Sequence, residues 1–176
     1  MDTNTKPRCA VLGYGSWATA IVKTLTVNHH HVDWLVLNDE IRESLKMRSR
    51  NPKYLPWCYI DQEFMTPSND INAVVRDADI VILAMPSAFF KKFLEPLTES
   101  LTDKIVVSAV KGIIPGDYLT IVEHMNRYYD TPMENLAVVT GPSHAEEVGQ
   151  CQLSYLTVAS ESKETAERVR EVLAND

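Results

Sequence analysis

Short apolar runs alternate along the chain with longer segments in which apolar residues recur every three to four positions. The short runs are rich in Val, Ile and Leu, which is typical of strands buried on both faces of a parallel sheet. They predict strands at residues 8–13, 32–38, 79–85, 104–110, 136–140 and 153–159. The longer segments predict helices at residues 16–28, 39–50, 69–76, 87–101, 115–128 and 162–173. This alternation predicts an α/β fold, with a doubly wound, mostly parallel sheet and helices on both faces.

One connection is longer than an ordinary turn. Residues 51–68 contain Pro52, Pro56 and Pro67, and they show no clear strand or helix pattern. Loops of this length in compact domains are often functional. We therefore expect a long functional loop here.

Length and charge narrow the class of protein. The chain has 176 residues, of which 45% are hydrophobic and 23% charged, so we expect one domain over residues 1–176 with a core of its own. The net charge of −7 argues against broad nucleic-acid binding, because that requires clustered Lys and Arg.

Cysteines and apolar runs bear on the compartment. Cys9, Cys58 and Cys151 are far apart and lack metal-ligand spacing, so we expect reduced thiols and no metal site. No apolar segment approaches the roughly 20 residues that cross a bilayer, and the polar start at residues 1–6 is unlike a signal peptide. We therefore expect a soluble, cytoplasmic protein.

The first predicted strand ends in a glycine-rich turn. Residues 11–20 read VLGYGSWATA, a strand that passes through Gly13 and Gly15 into a helix with Ala18 in its first turn. In this G-x-G-x-x-A spacing the first glycine permits a tight turn, the second admits a pyrophosphate, and the alanine lets helix and strand pack closely. The open N–H groups of the helix would hold the anion without a lysine. Two glycines alone are a weak signal, so the context must support it.

Three later strands end in small, polar or basic residues, at the edge where an open α/β sheet binds ligands. The segments are AMPS at 84–87, SAVKG at 108–112 and TGPSHAEE at 140–147. Lys111 would emerge there as a charge for an anion, with an ordinary surface lysine as the alternative. The turn at 141–143 precedes a short helix and is a second anion-binding candidate. We interpret His144 as a polar neighbour rather than a base.

The end of the second predicted strand reads VLND at residues 36–39. Asp39 or Asn38 could hydrogen-bond a ribose, whereas Asp39 could instead cap the next helix. No basic residue is evident there for a 2′-phosphate. The histidines at 29–31 lack companions at metal-ligand spacing, and we interpret them as a solvated loop.

Five segments, taken in order, resemble the N-terminal half of the bacterial NAD(P)-dependent glycerol-3-phosphate dehydrogenases. They are GYGSWATA, NPKYLP at residues 51–56, AMPS, VKG at 110–112 and GPSHAEE. The resemblance extends over nearly the whole chain and implies a Rossmann-like domain that binds NAD or NADP. The cofactor contacts that it implies are Gly13, Gly15, Ser16, Trp17, Tyr54, Lys111 and Ala145. The substrate contacts that it implies are Lys111, Gly141 and Ser143.

The resemblance also has a departure. Leu37 stands where many members of the family carry an arginine or histidine near the adenosine ribose. We therefore expect no strong preference for NADPH, and a preference for NADH is compatible with this residue.

The reaction implied by the resemblance is hydride transfer between a nicotinamide and C2 of glycerol 3-phosphate or dihydroxyacetone phosphate, which feeds glycerophospholipid synthesis. Members of this family continue into a helical substrate domain that supplies the proton-transferring lysine. We therefore assign no catalytic residue to these 176 residues, and we expect them to be inactive alone. We also expect a homodimer.

Two alternatives remain open. A related dehydrogenase, such as a ketopantoate reductase or a sugar-nucleotide dehydrogenase, would keep GYGS but has no reason to carry GPSHAEE. A non-catalytic nucleotide-sensing module is the other alternative, and a native gene that ended at Asp176 would favour it.

Overall fold

Within residues 6–175, which the computed structural model describes, seven strands form one sheet. The strands are β1 Cys9–Leu12, β2 Val32–Leu35, β3 Met65–Ser68, β4 Ile80–Leu83, β5 Ile105–Ser108, β6 Leu136–Thr140 and β7 Thr157–Ser160. The helices are α1 Ser16–Val27, α2 Asp39–Arg48, α3 Ile71–Arg76, α4 Phe90–Leu94, α5 Ile121–Tyr129, α6 Ala145–Gly149 and α7 Lys163–Leu173. Residues 1–5, on which most of the predicted polar start falls, and Asp176 lie outside the described residues.

The strand order creates a crevice at one edge of the sheet. The order is β3-β2-β1-β4-β5-β6-β7, and every pair is parallel except β6 with β7. The chain thus moves outward from β1 to β3 and returns to the other side of β1 at β4. Such a reversal opens a crevice between the carboxyl ends of the two central strands, where ligands of this architecture bind.

Apolar side chains cover both faces of the sheet. Along β1, Cys9 and Val11 belong to one cluster of buried residues, whereas Ala10 and Leu12 belong to the other. The first cluster includes residues of α1, α2 and α7, and the second includes residues of α3, α4 and α5. Strands buried on both sides explain the continuous apolar runs of the sequence. The predicted doubly wound, mostly parallel fold is confirmed.

The predicted loop at 51–68 is wrong in its last four residues, which form β3. This strand lies at the edge of the sheet, where Pro67 pairs with Trp34 of β2. An edge strand tolerates a proline because one side of its backbone has no ladder partner. The strand predicted at 153–159 is likewise displaced, and it begins at Thr157.

Two predicted helices are shorter in the structure. The segment 87–101 forms a 3-10 turn at Ser87–Phe89 followed by α4, which ends before Pro96 because proline has no N–H to donate. The segment 115–128 becomes helical only at α5, where Thr120 and Glu123 form a reciprocal capping box.

The cysteines are free thiols. Burial raises the pKa of Cys9 to about 12 and also raises that of Cys58, so both stay protonated, whereas Cys151 is exposed. The interpretation of residues 29–31 as a solvated loop is wrong for His30, which is buried.

The described part of the chain holds no group of three or more His, Cys, Asp or Glu that could bind a metal. None of its described helices is long and apolar enough to cross a membrane.

Candidate functional site

The first glycine of the turn is fixed by its packing. Gly13 has a φ of +124°, and a Cβ at this position would overlap the backbone carbonyl of Ala84 at the end of β4. Its own carbonyl accepts a hydrogen bond of 2.6 Å from Nε1 of Trp34. Only glycine adopts this conformation readily. Gly13 thus lies beneath the site, where it holds the ends of β1 and β4 together.

The second glycine faces open space. Gly15 is the N-cap of α1 with a φ of −76°, which any residue can adopt, and a Cβ there would have no described atom within 4 Å. No described side chain caps this helix, and its first turn carries no acidic residue. The open N–H groups and the positive end of a 12-residue helix thus face the crevice with no competing charge from that turn.

The segment between α2 and β3 that begins at Asn51, here called the proline-rich loop, is held against the turn between β1 and α1 by the side chain of Asn51. Its Nδ2 donates hydrogen bonds of 3.0 Å to the carbonyl of Tyr14 and to the hydroxyl of Thr19. Its Oδ1 accepts from the N–H groups of Lys53 and Tyr54. The side chain is fully buried and uses both ends of its amide. Sequence reasoning missed this residue, although an Asn followed by Pro in a long loop is a signal for a side chain that organises a turn.

A cavity of about 550 Å³ lies in the crevice. It is walled by the start of α1, the ends of β4 and β5, and the start of α6. The predicted site residues that line it are Gly15, Ser16, Trp17, Lys111, Ser143 and Ala145. Three distant segments of the sequence therefore meet in this cavity.

A smaller cavity of about 270 Å³ adjoins the first. Trp17, Lys111 and Ser143 line both cavities, and Gly141 lines only the smaller one. Lys111 forms no ion pair among residues 6–175, and it is the only lysine or arginine among the described residues that line the two cavities. Its charge is therefore free to attract an anion at this junction.

Two further predicted residues differ in position: Tyr54 lies away from both cavities, whereas Gly141 lines the smaller one. Tyr54 is 38% exposed on the proline-rich loop and lines neither cavity. Gly141 has a φ of +145°, and a Cβ there would lie 2.5 Å from the carbonyl oxygen of Tyr155. Backbone packing alone thus explains why position 141 is a glycine, and no ligand contact is needed to explain it.

Charged residues gather at the carboxyl end of β2. Asn38, and not Asp39, caps α2, because its Oδ1 accepts from the N–H of Ile41. The guanidinium of Arg42 donates to the carbonyl of Val36 at 3.1 Å and to the carboxylate of Asp39 at 2.6 Å. A basic group is therefore present where the sequence showed none. Arg42 was missed because its side chain reaches back along the helix to the strand end.

Comparison with protein families gives one match over most of the chain. A family model described as the N-terminus of NAD-dependent glycerol-3-phosphate dehydrogenase matches residues 8–166. The glycerol-3-phosphate dehydrogenase of Halalkalibacterium halodurans, named as NAD(P)+-dependent, is 32% identical over 94% of this chain and 48% of its own. The enzyme of that name from Pseudomonas aeruginosa is 32% identical over 93% and 47%, respectively. The chain therefore spans about half the length of the curated relatives it matches.

Solved structures share the fold. The glycerol-3-phosphate dehydrogenase of Coxiella burnetii superposes with a TM-score of 0.84 at 22% identity, over 97% of this chain and 52% of its own. That of Plasmodium falciparum gives 0.88 at 19% identity, over 98% and 51%. A GDP-mannose dehydrogenase from Pseudomonas aeruginosa gives 0.69 at 9% identity, over 94% and 43%. At these identities the likeness shows the fold alone.

Proposed function

Because the chain belongs to the NAD-dependent glycerol-3-phosphate dehydrogenase N-terminal family, we propose that it binds a nicotinamide dinucleotide across the β1–β4 crevice. In this proposal it is the cofactor-binding domain of an enzyme that interconverts glycerol 3-phosphate and dihydroxyacetone phosphate. The resemblance implies a helical substrate domain for the remainder of such an enzyme.

The observation that carries the proposal is the open start of α1. Gly15 leaves space where a side chain would otherwise stand, and the helix end has neither a side-chain cap nor an acidic first turn. These are the features that a pyrophosphate needs, since it binds to backbone N–H groups and to the helix dipole. The backbone of Gly15 and Ser16 would hold the diphosphate.

The part of the main cavity proposed for the nicotinamide is lined by apolar side chains. Ala145 and Trp17 line the main cavity, and both contact the apolar cluster on that face of the sheet. Apolar walls exclude water, which strengthens electrostatic contacts inside the site. The bound nicotinamide would supply the hydride acceptor or donor, and these residues would orient it.

Lys111 would hold the substrate anion. It lines both cavities, as Ser143 does, and it has no carboxylate partner among the described residues. An ammonium there can contact a phosphate or a carbonyl oxygen, and the Ser143 hydroxyl can donate a further hydrogen bond. Gly141 lines only the smaller cavity, so its role would be limited to backbone contact. The cytoplasmic location and the homodimer stay predictions.

Titration of the chain with NADH tests the proposal. Trp17 lines the cavity and Trp57 does not, so Trp17→Phe should change the affinity for NADH whereas Trp57→Phe should leave it unchanged. AMP should compete for the same site. The absence of saturable NADH and NADPH binding to the folded chain would overturn the proposal.

A further inference from the structure

Two of the three cysteines lie at one contact between the proline-rich loop and α6. Cys58, in the loop, is 2% exposed, and its Sγ lies 3.7 Å from the carbonyl oxygen of Gly149, the last residue of α6. Cys151 follows Gly149 by only two residues and is exposed. Because consecutive Cα atoms are about 3.8 Å apart, at most about 7.6 Å separates the Cα atoms of Gly149 and Cys151. The two cysteines therefore lie in the same small region of the molecule.

The backbone on both sides of this contact is compact. The N–H of Cys151 donates to the carbonyl of Val148 at 3.0 Å, so the chain folds back on the end of α6 rather than leading away from it. In the loop, the N–H of Cys58 donates to the carbonyl of Leu55 at 2.8 Å. A Cβ at Gly149 would lie 3.1 Å from Cδ1 of Leu55. The glycine thus lets this turn of the loop pack directly against α6.

The two thiols differ in accessibility and in the charges around them. Burial is the main cause that raises the pKa of the Cys58 thiol, and Cys151 raises it further, so each sulfur lies within range of the other's charge. Lys23, on α1, and Arg50, which precedes the loop, lower this pKa. These two cations would support the Cys58 thiolate once its proton leaves. The exposed thiol of Cys151 is the one that a reagent in solvent reaches first.

We propose that Cys58 and Cys151 form a reversible disulfide, which a small-molecule disulfide drives and which joins the proline-rich loop covalently to the end of α6. A disulfide requires Cα atoms about 4.4–6.8 Å apart and side chains that turn toward each other. Cys151 lines a cavity of about 370 Å³ between the ends of α1 and α7, so its side chain has room to change rotamer. This proposal is independent of the proposed function.

The exchange takes place in two steps. The Cys151 thiolate attacks one sulfur of the small disulfide, whose S–S bond breaks, so that a mixed disulfide forms and the first small thiolate leaves. Cys58 then loses its proton and attacks the Cys151 sulfur, which forms the protein S–S bond and releases the second small thiolate. The two protons lost by the cysteines go to the two small thiolates. Two protein thiols are thus oxidised, and one small disulfide is reduced to two thiols.

The disulfide would close a loop of about 90 residues, which restricts the unfolded chain and thereby stabilises the folded one. The same proline-rich loop holds the turn between β1 and α1 through Asn51. Oxidation should therefore fix this loop, and Asn51 with it, against α6.

The test incubates the folded 176-residue chain with glutathione disulfide and maps the products by mass spectrometry after digestion without reductant. The expected product links Cys58 to Cys151 and retains Cys9 as a free thiol. Its urea midpoint should be higher by on the order of 1 M, and dithiothreitol should remove this gain. Oxidation of the chain in urea should instead give several linkages, some of which include Cys9, because unfolding exposes all three thiols.

Single variants separate the two steps. Cys58→Ala should accumulate the mixed disulfide of glutathione with Cys151, whereas Cys151→Ala should stay unmodified because Cys9 and Cys58 are buried. Cys9→Ala is the matched control, and it should form the link between Cys58 and Cys151 as the unmodified chain does. Should Cys58→Ala fail to fold, Cys58→Ser keeps a donor for the Gly149 carbonyl.

Four results would overturn the proposal. They are a stable mixed disulfide on Cys151 of the unmodified chain, a link between two chains through Cys151, the same mixture of products from the folded and the unfolded chain, and a link between Cys58 and Cys151 that leaves the urea midpoint unchanged. In the last case the link would strain the fold as much as it restricts the unfolded chain. Nucleotide titration of the reduced chain tests the proposed function separately.

Discussion

Two turns in this molecule each place glycine between a strand and a helix, but in different physical environments. The first joins β1 to α1 through Gly13 and Gly15, and the second joins β6 to α6 through Gly141. Helix α1 has 12 residues and no acidic first turn, whereas α6 has five residues and carries Glu146 and Glu147 in its first turn. A short helix with two carboxylates at its start attracts anions far less than a long helix without them.

The two turns also use their glycines differently. In the turn between β1 and α1 the two glycines have different roles, because Gly13 permits close packing and Gly15 leaves open space for a ligand. In the second turn the glycine is fixed by packing, since a Cβ at Gly141 would overlap the backbone of Tyr155. An anion at the second turn would therefore depend on Lys111 rather than on the helix. In such a turn the glycine that faces space, and not the one fixed by packing, marks where a ligand could approach the helix start.

The largest expected effect is that of Gly15→Val on nucleotide binding. The branched side chain would fill the space at the start of α1, so NADH affinity should fall by at least about 100-fold, which is about 2.7 kcal/mol. Because no described atom lies within 4 Å of the added Cβ and φ is −76°, the fold should tolerate the change. NADH titration measures the first effect and urea unfolding the second.

If the folded Gly15→Val chain bound NADH with normal affinity, the turn between β1 and α1 would not be part of the nucleotide site. A chain that loses stability as well as binding would leave the two glycine roles undistinguished, and Gly15→Ala would then be measured in its place.

Gly141→Ala should act on stability first. The alanine Cβ would lie 2.5 Å from the Tyr155 carbonyl oxygen at a φ of +145°, so we expect the free energy of unfolding to fall by about 2 kcal/mol. Gly13→Ala should behave in the same way because its Cβ would overlap Ala84. Urea unfolding of both variants checks this. An unchanged urea midpoint for Gly141→Ala would show that the backbone at Tyr155 can move aside without a loss of stability.

Much of the fold was predictable from the sequence because the central strands are buried on both faces. The strand at 136–140 and the first helix from Ser16 have the boundaries expected at those points. Strand β3 was not predictable from apolar pattern, since only Met65 of its four residues is buried and one of the four is a proline. It is a strand because β2 offers it a free edge, which is a tertiary effect.

The candidate site was predictable where a strand end or a glycine turn marks it in the local sequence. The turn at Gly13 and Gly15 and the strand end at Lys111 follow from local sequence. The pair formed by Asp39 and Arg42 does not, because a helical residue at the third position beyond another can point to solvent or back to the strand. Asn51 likewise acts through partners more than 30 residues away.

Lys111→Met tests whether the second turn relies on this lysine. Loss of the ammonium should weaken glycerol 3-phosphate binding to the chain loaded with NAD+ by about tenfold, because the proposed charged contact to phosphate is removed. The free energy of unfolding should not change, since Lys111 is exposed. Calorimetric titration measures the affinity, and Lys92→Met, on the exposed surface of α4, is the control. Equal weakening by both variants would indicate a general charge effect rather than a contact.

The smallest expected effect comes from Glu146, whose carboxylate lies in the first turn of α6 and whose residue lines the main cavity. Its negative charge opposes an anion at the glycine turn between β6 and α6. Glu146→Gln should therefore raise glycerol 3-phosphate affinity by about two- to fivefold, the range of a single charge at a helix end. Glu161→Gln removes the same charge beyond β7, outside both cavities, and should leave the affinity unchanged. The gain should shrink between low salt and about 0.5 M salt, since ions screen charges beyond a few ångströms at that strength. If Glu146→Gln instead weakens binding, the carboxylate contacts the substrate hydroxyls directly, and the contrast between the two turns is one of hydrogen-bond donors and acceptors rather than of charge.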